Sequence, residues 1–513
     1  MSSLELAPFS NLPVLPVVVS LGFGILLVLG HGHLRYQRAA GALGVVAALA
    51  VDLWLFVLVL QGGPLVYRAG DWPAPYGILF VADRLNVLMA LAAGVVAFFA
   101  FAFALRSVDE ERQRAFFFPL FQFQMAGVYG AFLTGDLFNL FVFFEVTLLA
   151  SYVLLTLGGG RLQLQEGLKY IAINIVASTL FLVGVAVLYR TLGTVNMADL
   201  AVKVAAATDR GWILVIAVVF MAVFGIKAAI FPLYFWLPYS YFTPPTAIVG
   251  LFAGLLSKVG IYALYRVFTL IFVGNVAVTH QVLFLVLASF TMFLGVVGPV
   301  AQMDFKRILA FHIVSQIGYM LMGLGFYTPL ALAGGIFHIV HNMMIKSGLF
   351  LTAGATELVT GTTHLEKMSG VLKSHPFLAS IFFLSGLSLA GIPPFSGFFS
   401  KVALMLGGLR AGGYLVVAVS VVVSFLTLFS MIKIWRYAYW GPSTGERQVG
   451  SEATAGLVWP AVGMLLISVA MGVGAAYVLD YTYATALELM QPARYVGAVL
   501  GPQAAGVLVS GRF

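Results

Sequence analysis

Eight side chains able to take up or release a proton stand inside long apolar runs of this sequence. Glu145 lies in Leu-Phe-Val-Phe-Phe-Glu-Val-Thr, Lys227 in Phe-Gly-Ile-Lys-Ala-Ala-Ile-Phe-Pro, Lys258 in Leu-Leu-Ser-Lys-Val-Gly and Lys401 in Gly-Phe-Phe-Ser-Lys-Val-Ala-Leu. His312, His338, His341 and Lys346 complete the set. A charge at the bilayer centre costs about 2.5 to 3.5 kcal/mol even on the lenient insertion scale, so each is a functional candidate by default. The chemistry they fit is proton transfer. Burial and a neighbouring carboxylate act on a lysine in opposite directions, so a lysine that meets Glu145 in one state and not in another becomes a proton switch. Histidine titrates near neutrality and can pass a proton between its ring nitrogens, which suits His338 and His341, three apart on one helical face. Alternating lysine and histidine across four segments then read as a horizontal proton wire. The competing reading is structural. A buried Lys–Glu pair can be mere architecture, a lysine near a helix end can snorkel, and a polar bundle contact would explain His312, His338 or Lys346. Asp52 and the adjacent Asp83 and Arg84 read as local structural polar groups, while His31, His33, His364 and His375 fall in loops.

The elements that must hold these residues are membrane helices. Of 513 residues 61% are hydrophobic and 9% charged, where a soluble domain is about a quarter charged. Runs long enough to cross a ~30 Å hydrocarbon core number fourteen. The first seven are Val14 to Gly30, Ala39 to Leu60, Ile78 to Leu105, Ala115 to Thr134, Leu137 to Leu157, Leu168 to Tyr189 and Ile213 to Phe235. The second seven are Ala247 to Phe272, Val282 to Met303, Ile308 to Phe326, Leu330 to Ala355, Phe377 to Leu406, Tyr414 to Ile434 and Leu457 to Leu479. The polar stretches between them are too short to bury a core, so 1–513 reads as a single all-α polytopic membrane domain. The opening Met-Ser-Ser-Leu-Glu-Leu lacks the basic residues of a cleavable signal.

Without cysteine there is no thiolate metal site or iron–sulfur cluster, and no metal-ligand set or other cofactor site is legible. The formal charge of +8 comes from basic residues scattered through loops, which excludes a nucleic-acid stripe. Fourteen of them, Arg447 included, follow odd-numbered segments, against six, Arg266 included, after even-numbered ones. By the positive-inside rule both termini face outward.

Proline removes a backbone donor and clashes with the preceding turn, so it breaks helices. Pro232 and Pro238 follow Lys227, and Pro393-Pro394 interrupt the twelfth segment before Lys401. These breaks fall five segments apart. An odd shift forces opposite insertion, which predicts inverted repeats with ion sites at broken helices. Segments one to three (14–105) precede a repeat of segments four to eight (115–272). Segments nine to thirteen (282–434) form its counterpart, and segment fourteen and a tail (457–513) follow.

Six motifs in order carry a family resemblance. They are Thr-Gly-Asp-Leu-Phe-Asn-Leu-Phe-Val-Phe-Phe-Glu at 134–145, Phe-Gly-Ile-Lys at 224–227, Pro-Leu-Tyr-Phe-Trp-Leu-Pro at 232–238, Asp-Phe-Lys-Arg-Ile-Leu-Ala-Phe-His at 304–312, His-Asn-Met-Met-Ile-Lys at 341–346 and Gly-Ile-Pro-Pro-Phe-Ser-Gly-Phe-Phe-Ser-Lys at 391–401. From about segment three through thirteen the chain resembles the antiporter-like subunits shared by respiratory complex I, membrane-bound hydrogenases and multisubunit Mrp cation/proton antiporters. Within that family it is most similar to the D type of Mrp protein, on the lysine at 401, on Gly-Asp-Trp-Pro-Ala-Pro-Tyr-Gly-Ile at 70–78 and on the absence of a long carboxyl-terminal extension.

The resemblance implies that Glu145 pairs with Lys227, that Lys258 and His341 connect inward, and that Lys401 gates the last step. One departure is Asn342, where relatives are expected to carry histidine; His338 or a water must then cover that step. The implied function is proton translocation coupled to export of sodium or another monovalent cation in a bacterial plasma membrane. The implied partners are Mrp-type membrane proteins of the A, B, C, E, F and G types. A proton-pumping subunit of an NADH:quinone or hydrogenase complex is the alternative. A lipid-directed intramembrane enzyme is disfavoured, since no nucleophile, metal triad or headgroup pocket is evident.

Overall fold

The computed structural model describes residues 11–442 and 451–510; Arg447 lies outside them. Helices dominate because hydrocarbon offers no partner to a bare backbone amide, so each segment must satisfy its own. The helices of the bundle are α1 (Leu15–Leu29), α2 (Leu34–Gly62), α3 (Arg84–Ser107), α4 (Phe118–Leu133), α5 (Leu137–Thr156), α6 (Arg161–Leu192) and α7 (Arg210–Ala228). They continue as α8 (Thr246–Leu270), α9 (Leu285–Ala301), α10 (Phe305–Phe326), α11 (Pro329–Thr360), α12 in two halves (Pro376–Ala390 and Ser396–Arg410), α13 (Tyr414–Ile434) and α14 (Ser451–Val473).

Twelve helices among the described residues are long and apolar enough to cross a membrane by length and composition, so the chain is a multi-pass membrane protein. The two remaining segments of the expected fourteen are the ones that depart from an unbroken apolar helix. Of these, α11 carries His338, His341, Asn342 and Lys346, and α12 is split into fifteen-residue halves.

Several helices start where a side-chain oxygen takes up an orphan amide of the first turn. Asp83 accepts from Asn86 N, Asp136 from Asn139 N, Asp209 from Trp212 N, Asp304 from Arg307 N and Thr328 from Ala331 N. The Asp83 cap corrects the expected start of the third helix. Residues 79–82 form a strand (β2, Leu79–Ala82) paired antiparallel with β1 (Leu65–Arg68), and helix begins only at Arg84. Isolated backbone bridges tie Asp136 to Asn196 and Asp304 to His364. Thus the starts of α5 and α10 are each tied to the segment following the next helix.

α8 and α10 are wholly enclosed by other helices. Glycines let the inner helices touch: a Cβ on Gly260 of α8 would lie 2.7 Å from Ala228 N at the end of α7, and one on Gly254 3.3 Å from Met343 O of α11. A Cβ on Gly334 of α11 would lie 2.7 Å from Leu404 N of α12. The helices α7, α8, α11 and α12 therefore pack in succession.

Arg266, expected in a loop, is instead buried within α8 and pairs with Asp83 at 2.6 Å. Asp83 and Arg84 are not a local unit: Arg84 pairs with Glu488 of the helix Ala475–Leu489 at 2.9 Å.

Candidate functional site

Both expected helix breaks are present, and each holds a lysine. α7 ends at Ala228, where Ala229 takes a left-handed conformation (φ 61°) and Ile230 N closes back on Gly225 O. A short turn of helix, Trp236–Ser240, follows, and Trp236 Nε1 caps Ile226 O at 3.0 Å. Lys227 occupies the last turn before this break. Its ammonium donates to Ser178 Oγ of α6 at 3.1 Å and stands 4.9 Å from the centre of the Phe144 ring. Glu145 is the next residue along α5, half-buried, and its Oε1 has no hydrogen-bond partner. Lys227 and Glu145 thus both adjoin Phe144, and no ion pair within 4 Å joins them among the described residues.

The second break lies between the halves of α12. Gly391, at φ 92°, ends the first half. The ammonium of Lys401, on the second half, reaches back to Leu389 O and Ala390 O at 3.1 Å each. Those carbonyls are the orphan acceptors of a helix C-terminus, where the helix dipole favours a cation. Lys401 also stands 4.7 Å from the centre of the Tyr319 ring, beside a cavity of about 230 Å³ lined by Gly391, Lys401 and Ser424.

His338 and His341 of α11 face this half. Their ring centroids are 5.6 Å apart. His338 Nδ1 shares a hydrogen bond with Ser400 Oγ at 3.0 Å, and His341 Nδ1 one with Ser396 Oγ at 2.8 Å, while the Nε2 of each ring lacks a partner. Ser396 continues to Ser468 of α14 at 2.8 Å, and Ser468 to Ser388 at 2.9 Å. Tyr319 bridges the group, with its ring 5.3 Å from His338. His338, His341, Tyr319 and Lys401 therefore form one cluster.

Lys258 and Lys346 are fully buried but not joined to it directly. Lys258 donates to Ala253 O within its own helix, and Lys346 to Leu309 O of α10 at 3.3 Å. His312 is buried with both ring nitrogens unpartnered. Asn342 turns its amide nitrogen to His338 O at 3.0 Å, spending on the helix backbone the donor that a titratable side chain would offer to a relay. A proton exchanged between these side chains would need water between them.

The partners Ser178, Ser396, Ser400, Ser468 and Tyr319 were not singled out from the sequence, nor was the Arg266 cluster. In that cluster Arg266 Nη2 donates to Asn86 Oδ1 at 2.6 Å, and Tyr262 OH meets the same oxygen at 2.7 Å. Among the described residues no group of three or more His, Cys, Asp or Glu side chains could hold a metal ion.

The titratable residues of the site fall inside residues 134–427, which match the family model described as NADH:quinone oxidoreductase/Mrp antiporter, TM. The chain is 50% identical to the D-type component of the Na(+)/H(+) antiporter of Alkalihalophilus pseudofirmus, over 96% of its own length and 99% of that protein. It is 42% identical to the protein of the same name from Bacillus subtilis, with the same coverage. Among solved structures, a chain of the Mrp complex from Dietzia sp. superposes with a TM-score of 0.91 at 34% identity, over 98% of this chain and 100% of that one. A chain of respiratory complex I from Thermus thermophilus gives 0.80 at 25% identity, over 93% and 99%. On the family match, and on relatives named as D-type components of Na(+)/H(+) antiporters, the chain belongs to the NADH:quinone oxidoreductase/Mrp antiporter transmembrane family.

Proposed function

We propose that the chain is the proton-carrying D-type component of a multisubunit Na⁺/H⁺ antiporter. Protons move inward along Glu145, Lys227, Lys258, Lys346, His341, His338 and Lys401 while the complex exports sodium or another monovalent cation. The observation that carries this reading is the succession α7–α8–α11–α12, in which every helix contributes a buried lysine. Structural polar contacts alone do not explain four buried lysines that no carboxylate among the described residues meets in an ion pair. The drive is sufficient, since one charge crossing 100 mV releases about 2.3 kcal/mol.

The names of the D-type relatives and the Mrp-complex neighbour support the antiporter assignment and the partners it entails, membrane proteins of the A, B, C, E, F and G types in a bacterial plasma membrane. An inverted repeat of α4–α8 and α9–α13 is supported by two correspondences five helices apart: the breaks after Lys227 and before Lys401, and the bridges Asp136–Asn196 and Asp304–His364. Both termini face outward on this reading.

Similarity to a complex I chain keeps one alternative in view, a pump driven by redox proteins elsewhere in the assembly. Inverted vesicles from antiporter-deficient cells expressing the whole gene cluster distinguish the two. Sodium-dependent collapse of a preformed proton gradient is expected. Proton pumping that starts only when NADH or another reductant is added would assign the chain to a redox complex instead.

A further inference from the structure

A cavity of about 370 Å³ lies beside the C-terminal end of α8, and none of the relay residues lines it. Its walls include Asp83, Arg266, Thr269, Glu488, Arg494 and Tyr495. Arg494, its side chain 63% exposed, stands at the mouth, and Arg266, 2% exposed, at the floor.

Arg266 is pinned there. Its Nη2 donates to Asn86 Oδ1 at 2.6 Å and to Asp83 Oδ1 at 2.8 Å, and pairs with Asp83 Oδ2 at 2.6 Å. Its Cζ stands 5.0 Å from the centre of the Tyr495 ring. Asp83 Oδ1 also accepts from Asn86 N at 2.9 Å, so both carboxylate oxygens are engaged. Tyr262, one turn deeper in α8, donates at 2.7 Å to Asn86 Oδ1 or to Phe132 O. Lys258 lies one turn deeper again. Residues four apart share a helix face, so Lys258, Tyr262 and Arg266 form one stripe along α8. Over those eight residues the helix rises about 12 Å.

Such a stripe is a hazard to a lateral relay, because a polar path along α8 would let protons pass between Lys258 and the cavity. Packing alone does not call for the ion pair: burying two charges costs several kcal/mol, and apolar residues of similar volume often serve as well. Arginine does suit a barrier. It keeps its proton throughout the working pH range, so unlike lysine or histidine it hands none on, and a fixed guanidinium opposes the approach of a second cation. Asp83 balances the charge, but both of its oxygens are already taken up.

Resting on the relay reading given to Lys258, we propose that Arg266, held by Asp83 and Asn86, is the seal between this cavity and the relay. It keeps protons and monovalent cations in the cavity from reaching Lys258.

The test gives vesicles carrying the whole complex a pH gradient in choline medium with a permeant anion and no sodium, and follows its decay with a pH-sensitive dye. Arg266→Gln should speed the decay at least fivefold over wild type, and adding Lys258→Ala to the same chain should return it to the wild-type rate. That dependence on Lys258 separates an opened seal from a bundle that leaks because it is distorted. If Arg266→Gln does not assemble, Asp83→Asn combined with Arg266→Gln, which leaves no lone buried charge at the floor, carries the test. Decay at the wild-type rate in the assembled variant would overturn the proposal, as would a leak that Lys258→Ala leaves intact. Failure of the relay reads differently: Lys258→Ala with Arg266 in place would then keep wild-type sodium-dependent antiport, and the seal would guard nothing.

Discussion

Lys401 and Lys227 both sit at helix breaks, yet their ammonium groups are held by different atoms. The first rests on two backbone carbonyls of a helix end, the second on a serine and an aromatic face. His341 depends in turn on Ser396, whose hydroxyl fixes one ring nitrogen and leaves the other open. Ser396→Ala should therefore slow antiport several-fold in a complex that still assembles, and Ser396→Thr should restore part of it; equal rates for wild type and Ser396→Ala in inverted vesicles would remove the serine from the relay. Gly397 is a sharper constraint. A Cβ there would collide with Ser388 O and come within 2.9 Å of His341 Nε2. Overpacking of this kind costs about 1–3 kcal/mol, so Gly397→Ala should lower the yield of assembled complex on a native gel as well as its transport. The titratable residues were legible in the sequence because charge inside an apolar run stands out. Their serine and tyrosine partners were not, because neither residue type is unusual in a membrane helix. Arg266 escaped because it sits four residues from the end of its helix and counts as a loop charge by position alone.

At the scale of elements, the two breaks were legible from proline, and the split of α12 falls where Pro393-Pro394 predicts. Gly391, at φ 92° and with Lys401 Cδ 3.0 Å from where its Cβ would stand, lets the two halves close around the lysine. The β1–β2 hairpin was not legible, since Ile78 to Ala82 is apolar and runs into α3 without a polar gap; only the Asp83 cap separates them. Gly260 is where α8 meets the α7 break, with Ala228 N 2.7 Å from the place a Cβ would occupy. Gly260→Val pushes α8 away from the turn that holds Lys227, and transport should fall at least tenfold with assembly less affected. Unchanged antiport in that variant would show that the α7–α8 contact is not needed.

For the whole molecule, a chain with no cysteine makes topology directly measurable. Tyr76, 85% exposed in the loop between the strands, should react as Tyr76→Cys with an impermeant maleimide added from outside, and Gly159→Cys between α5 and α6 only from inside. The reverse pattern would invert the orientation and with it the direction of the relay. The membrane class, the order of helices and the family were legible in the sequence. The path of the cation exported in the proposed antiport was not, because no residue pattern in the sequence marks one. On the proposed route protons pass through Glu145 on their way to Lys227. The direct measurement is sodium-dependent dissipation of a proton gradient in inverted vesicles carrying the whole complex, with Glu145→Ala, Glu145→Asp and wild type compared at equal levels of assembled complex. Antiport should be abolished in Glu145→Ala and partly retained in Glu145→Asp. Wild-type antiport in an assembled Glu145→Ala complex would contradict it.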